Sequence, residues 1–380
     1  MGKKYKVAFI HNIVSPYRIP LFEGLSNHPS IDLFVYFCAK THKHRKWEIL
    51  ESNEFNYEIL PGFTLEFSGI TYHINPSIVS RLINGKYDVV ILSGNPDFTT
   101  HIAFLTCKLL KIPFIWWSEG IENSQSFLGK VISPLTKYII RSSASIVVPG
   151  ILAKKFHMKL GATSEKIFLA PNIVDNDLFI KKSLAFKQNI ASIKQELNLP
   201  NKKIILYVGR LVEPKGLLYL LESYKKLKMK CNDICLVFVG DGSLKEMLEN
   251  LCTEENINDV IFTGWLSDER IKYYSVADIF VLPTLRDVWG LVINEAMCCG
   301  LPVVSTKAAG ASWDMIIPGK NGYVVESANS EQLYSSIRTI IFNESLARKM
   351  GEKSLEIVKN KHSLDNMIDG FVSAIKYVSK

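Results

Sequence analysis

The sequence predicts an α/β chain made of two doubly wound halves that face each other across a cleft. Three observations predict it. Short β-branched runs alternate with helical patterns along the whole chain, the mark of parallel sheets with crossover helices. The alternation restarts after a polar stretch near the middle. The length of 380 residues, 47% hydrophobic and 22% charged, suits two soluble Rossmann-like domains rather than one.

In the first half the expected strands are 6–10 (KVAFI), 31–37 (IDLFVYF), 88–93 (DVVILS), 113–117 (PFIWW) and 145–150 (SIVVPG), with a helical pattern from Thr99 to Leu110 among the intervening segments. In the second half they are 203–209 (KIILYVG), 235–240 (CLVFVG), 260–264 (VIFTG), 278–283 (DIFVLP) and 302–306 (PVVST). Helices are expected near 216–229, 243–255, 268–276 and 290–299. The domains are therefore drawn as 1–172 and 201–362. The polar segment 173–200, with Lys181, Lys182, Lys187, Gln188 and Asn189, is read as a linker. The tail is helical by pattern, and 363–380 is expected to pack back on the first domain.

Charge is unevenly placed. Up to Asn172 there are 19 Lys and Arg against 12 Asp and Glu, and thereafter 26 against 25. A basic first half suggests an anionic surface or substrate on that side. The apolar run in MGKKYKVAFIHN is too short for a signal peptide, and no stretch reaches the roughly 18 apolar residues of a membrane span. The expected place is the cytoplasm, with peripheral attachment to the inner face of the membrane left open. The seven cysteines are scattered and odd in number, which argues against a disulfide framework. Cys231 and Cys235 lack a second pair and read as thiols, not a metal site. His42 and His44 lie among cations and read as a solvated loop.

In open α/β sheets ligands sit at the carboxyl ends of strands. Two segments there carry chemistry. VGRLVEPKG (208–216) places Gly209 at a tight turn and Arg210 and Lys215 at the mouth of a cleft. A guanidinium fork and an ammonium suit a diphosphate, although the same loop also reads as two solvated cations. In RDVWGLVINEAMCCGLPVV (286–304) a helix is expected to begin near Gly290, with amides that favour an anion. Asp287 precedes it, and Glu295 follows eight residues later, about two turns on. Capping would explain Asp287 alone, not the whole run.

Together these segments, with VFVGDG (237–242), FTGWLSDERIKYYSVADIFVLPT (262–284) and GLPVV (300–304), resemble the retaining glycosyltransferases of family 4, which have the GT-B fold. PNIVDNDLF (171–179) resembles the family's interdomain segment, with Ile173 where a Gly is usual. The resemblance implies a hexosyltransferase that moves a sugar from a nucleotide-diphosphate donor, UDP- or GDP-linked, to a saccharide or lipid-linked acceptor in surface polysaccharide or lipopolysaccharide synthesis. It also implies no metal and no cofactor. Arg210 and Lys215 would neutralise the leaving diphosphate, and the amides of Trp289, Gly290 and Leu291 would cradle it. Glu295 would hold the ribose, Gly264 and Trp265 would meet the base, with Gly209 in the tight loop, and Asp287 would contact the sugar. Another GT-B enzyme, such as an epimerase or phosphorylase, or a non-catalytic sugar-nucleotide binder, stays open.

The chain departs from the family pattern in three places. Asp287 stands where Glu is usual. Glu119, in WWSEGIEN, stands where a His is usual and is read as a sugar or acceptor contact, with a catalytic base and a plain loop carboxylate left open. HNIVSPYRIP (11–20) replaces the usual Gly-Gly. Finally, Lys130, Lys137 and Arg141 fall within roughly 40° on a helix, a face suited to an anionic membrane and equally to plain solvation. Nucleic acid is not an expected partner, because no binding module accompanies the charge.

Overall fold

Strands such as Val89–Ser93 and Ile234–Val239 are buried at every position. Runs apolar on both faces belong to parallel sheets covered by helices on both sides, and the computed structural model has two of them. It describes residues 4–42, 52–67, 70–94, 97–122 and 127–379. The chain divides into two units, Met1–Asn172 with Leu364–Lys380, and Ile173–Ser363.

In the first unit the chain runs β1 (Tyr5–Ile13), α1 (Ile19–Asn27), β2 (Ile31–Ala39), β3 (Asn56–Ile59), the antiparallel hairpin β4 (Phe63–Phe67) and β5 (Ile70–Ile74), α2 (Ile78–Gly85), β6 (Val89–Ser93), α3 (Phe98–Leu110), β7 (Phe114–Trp117), α4 (Phe127–Ser142), β8 (Ser145–Val148), α5 (Ile151–Lys159) and β9 (Ile167–Leu169). The parallel sheet has the order β3-β2-β1-β6-β7-β8-β9. Its direction of growth reverses between β1 and β6. Pro134 lies inside α4.

The second unit opens with α6 (Asn176–Lys187) and α7 (Ile190–Glu196). The expected linker over 173–200 is thus corrected. Asp175 and Asn189 cap these helices, accepting from the amides of Leu178 at 2.9 Å and Ser192 at 3.3 Å. Phe179 is buried in the core of this unit. Of its lysines, Lys181 is exposed, while Lys187 is partly buried and donates from Nζ to Cys299 O at 2.6 Å. There follow β10 (Lys203–Val208), α8 (Leu217–Lys228), β11 (Ile234–Val239), α9 (Lys245–Glu254), β12 (Val260–Gly264), α10 (Arg270–Val276), β13 (Ile279–Leu282), α11 (Leu291–Cys298), β14 (Val303–Thr306), α12 (Ser312–Met315), β15 (Gly322–Val325), α13 (Ser330–Ile341) and α14 (Glu344–Lys361). The sheet order is β12-β11-β10-β13-β14-β15, reversing between β10 and β13. Such a reversal leaves a crevice at the strand ends where loops diverge.

The last helix, α15 (Leu364–Val378), packs on α1, β8 and β9. Its Phe371 is fully buried, 5.7 Å from the Phe9 ring and 5.5 Å from the Trp117 ring. Among the described residues no helix is long and apolar enough to cross a membrane. All seven cysteines are free.

Candidate active site

The two loops singled out in the second unit follow β10 and β13, the strands at the reversal point. They are tied together by backbone. Pro214 O accepts from the amides of Leu285 at 2.8 Å and Arg286 at 3.1 Å, and from the Thr284 hydroxyl at 2.9 Å. Gly216 turns at φ +64°, and a Cβ there would stand 2.2 Å from Pro283 O. Only glycine allows the first loop to lie this close to the second.

Lys215 and Asp287 meet in this crevice, Nζ to Oδ2 at 2.5 Å, each side chain only 15% exposed. Asp287 also receives the Trp289 amide on Oδ1 at 3.4 Å. Its own amide and carbonyl bond to Ala308 and Gly310 after β14. The aspartate is therefore a junction of three loops. Arg210 is exposed at the edge of the same crevice, and the Tyr207 hydroxyl holds its carbonyl at 2.8 Å. The Gly209 amide donates to Val239 O at 2.9 Å, anchoring the loop to β11.

α11 starts at Gly290, φ +96°, with no side-chain cap and no acidic residue in its first turn. The amides of Leu291 and its neighbours thus lead a helix without a side-chain cap, and the Asp287 carboxylate, which accepts from the Trp289 amide, lies just ahead of its positive end. Trp289 itself is buried. Gly264 ends β12 with open space where a Cβ would stand, and Trp265 beside it is half-exposed.

Glu295 is buried on α11. Arg270 grips it with two nitrogens, Nε to Oε2 at 3.2 Å and Nη2 to Oε1 at 2.9 Å, and the Tyr274 hydroxyl donates to Oε2 at 2.9 Å. Burial works against the Arg270 charge, but Glu295 outweighs it and the guanidinium pKa moves up. Burial, then Glu295, drives the Tyr274 hydroxyl well up. Of the carboxylate's roughly four lone-pair positions, Oε1 keeps one for another donor. Sequence reasoning missed Arg270 and Tyr274. The available signal was their i, i+4 spacing, which puts both on one face of α10.

Glu119 lies in the first unit, within a cluster at the carboxyl ends of β1 and β7. The Arg18 guanidinium is buried, pairs with Glu119, donates to Asn172 Oδ1 at 2.8 Å and lies 4.6 Å over the Trp117 ring. His11 stacks on Trp117 at 5.4 Å. Burial and the Arg18 charge push the His11 pKa down to about 3. His11 Nδ1 and Trp117 Nε1 are buried without a partner among the described residues. In α4, Lys137 and Arg141 are exposed, and the side chain of Lys130 lies outside the described residues. His42, expected in a solvated loop, instead meets His73, Nε2 to Nε2 at 2.9 Å. His44 lies outside the described residues. Among the described residues no group of three or more His, Cys, Asp or Glu is arranged to hold a metal ion.

The comparisons agree with this architecture. The sequence model of the family described as Glycosyl transferases group 1 matches residues 189–356. The chain is 28% identical over 295 residues to the sulfoquinovosyl transferase SQD2 of Arabidopsis thaliana, covering 74% of this chain and 55% of that protein's length. It is 31% identical over 289 residues to the capsular polysaccharide biosynthesis glycosyltransferase CapM of Staphylococcus aureus, covering 74% of this chain and 75% of CapM. The crystal structure of Anabaena Alr3699/HepE in complex with UDP shares the fold, with a TM-score of 0.76 over 98% of this chain and 99% of that one, at 16% identity. The two wound sheets are those of the GT-B architecture, and the chain belongs to the glycosyl transferases group 1 family.

Proposed function

We propose that this glycosyltransferase moves a sugar, with retention of anomeric configuration and without a metal, from a UDP- or GDP-linked donor. The acceptor is a saccharide or lipid-linked saccharide on the way to a surface polysaccharide or lipopolysaccharide. The observation that carries the reading is the partly buried Lys215–Asp287 pair at the reversal point, beside Arg210 and the uncapped start of α11. A diphosphate placed there displaces Asp287 as the partner of Lys215. The freed carboxylate then faces the sugar. Arg210, Lys215 and the first amides of α11 stabilise the charge that develops on the leaving group. Glu295, steadied by Arg270 and Tyr274, accepts one ribose hydroxyl on Oε1. Gly264 and Trp265 flank the base.

In the transfer, the bond from the anomeric carbon to the diphosphate oxygen breaks and the bond to the acceptor oxygen forms on the same face. The acceptor proton passes to the diphosphate. Positioning and electrostatics account for most of such a rate enhancement. Glu119, fixed by Arg18 at the carboxyl ends of β1 and β7, serves as a sugar or acceptor contact. The likeness to CapM and to a lipopolysaccharide core biosynthesis glycosyltransferase of Rhizobium meliloti supports the product class, and UDP bound to HepE supports the donor class.

The test is release of nucleoside diphosphate from UDP-, GDP- and ADP-sugars, with acceptor extract and with or without chelator, and assignment of the new linkage by NMR. Chelator-insensitive release for one donor with a retained anomer is expected. An inverted product overturns the stereochemistry, a chelator-sensitive rate overturns the metal independence, and donor binding without turnover favours a non-catalytic binder.

A further inference from the structure

The first unit exposes apolar side chains that its core does not need. On α3, Leu109 is 84% exposed, Leu105 57% and Phe98 49%, with Ile102 half-buried among them. At about 100° per residue these four fall within an arc of about 60°. The opposite face of the helix supplies the core through Ala103, Phe104 and Cys107. Scattered exposed leucines are ordinary on a soluble surface, but a continuous helical ridge is not.

α4 lies beside this ridge. Phe104 meets the Tyr138 ring at 5.9 Å, and Lys108 Nζ stands 6.0 Å from the same ring. Leu135 and Tyr138 of α4 are also exposed. So are Lys108, Lys111, Lys137 and Arg141. Neither the segment 98–118 nor the segment 127–144 contains a single Asp or Glu. An apolar ridge on a rim carrying cations and no carboxylate is therefore built from two neighbouring helices.

We infer that α3 and α4 together dock this protein on a membrane of anionic phospholipid, α3 seating its ridge at the headgroup boundary and the lysines and arginine pairing with lipid phosphates. Charge decides among occupants. A second copy of the chain in a two-fold contact would set this cationic rim against itself. An anionic bilayer satisfies both the ridge and the rim. The sequence reading placed the docking face on α4 through its basic residues alone. The structure adds α3, which supplies the apolar part. The inference deepens the proposed function, and rests on it only for the lipid-linked acceptor that a membrane would present.

The experiment is co-sedimentation of the full chain with vesicles of phosphatidylcholine, with and without phosphatidylglycerol, at low and raised salt. Wild type is compared with Leu105→Ser/Leu109→Ser and with Lys108→Gln/Lys137→Gln. Binding is expected only to the anionic vesicles. It should weaken in salt and fall about tenfold or more in each double variant. Donor turnover in detergent solution should stay within about twofold of wild type in both, because the substituted side chains are exposed and none belongs to the site. Absent or salt-insensitive binding, equal binding by the variants, or equal binding to neutral vesicles overturns docking and leaves the reaction standing. Self-association that Leu105→Ser/Leu109→Ser abolishes assigns the ridge to a second copy and also overturns it. Loss of turnover in wild type with vesicle binding as expected counts against the reaction and leaves docking standing.

Discussion

Glu295 sits between an arginine and a tyrosine that no inspection of its own helix would have paired with it. Removing its charge strands Arg270 in a largely buried position, so Glu295→Gln should cost about 2–4 kcal/mol of stability. Tyr274→Phe leaves the ion pair whole and should cost only about 1 kcal/mol. If Glu295 accepts from the ribose, Tyr274→Phe should raise the donor KM with little change in kcat. Urea unfolding and donor kinetics on the two variants check this, and a Tyr274→Phe that lowers kcat at constant KM would speak against the role. Asp97 makes a second residue-level prediction. Burial pushes its carboxyl up to about 7, against backbone hydrogen bonds led by His73. A carboxyl with a folded pKa above its unfolded value of about 3.9 binds its proton more tightly when folded. Its stabilisation is full below about pH 4 and is lost as pH rises through about 7. Wild type should thus lose roughly 3 kcal/mol relative to Asp97→Asn between about pH 4 and about pH 8. Parallel stability curves for the two proteins would contradict the assignment. The difference between them cancels the opposite trend of His73, which burial lowers to about 4.

At the scale of elements, the central strands were legible because a strand buried on both faces reads as an unbroken apolar run. DVVILS and CLVFVG are such runs, and they became β6 and β11. Length alone did not decide legibility, since β7, β8, β13 and β14 have four residues each, all buried. β9, with three residues, and β15, whose middle is only partly buried, gave no such run, and the β4–β5 hairpin carries exposed Phe63 and Leu65 instead of an alternating pattern. α6 and α7 were missed because the Lys, Gln and Asn residues of 173–200 read as a polar stretch, although Asp175 and Asn189 stood at cap positions ahead of a helical period. In the site, glycines and charged residues in loops were readable one by one. Their partners were not, because Arg270 and Arg18 reach their carboxylates across 25 and 101 residues of chain. α15 makes the prediction proper to this scale. Phe371 fills the first unit's core from the far end of the sequence, so Phe371→Ala should destabilise that unit by about 3–5 kcal/mol. Denaturant unfolding followed by tryptophan fluorescence measures it, since Trp116 and Trp117 are buried in the same unit. A loss below about 1 kcal/mol would mean that α15 is not part of that core.

For the whole molecule, two sheets wound in the same sense place each unit's loops at a reversal point, β1/β6 in one and β10/β13 in the other. The chemistry-bearing residues of the second unit converge on its reversal point, and the cationic surplus belongs to the first. The division of labour is thus written both in topology and in charge. On the proposed function, the crevice beside β10 and β13 binds the diphosphate of a nucleotide sugar through Lys215. The most direct measurement is the calorimetric affinity for UDP and GDP of wild type and of Lys215→Ala. One of the two nucleotides should bind wild type, with affinity falling about a hundredfold in the variant, the weight of one lost charge-assisted contact in a partly buried site. Equal affinity in the two proteins, or no binding of either nucleotide to wild type, would contradict it.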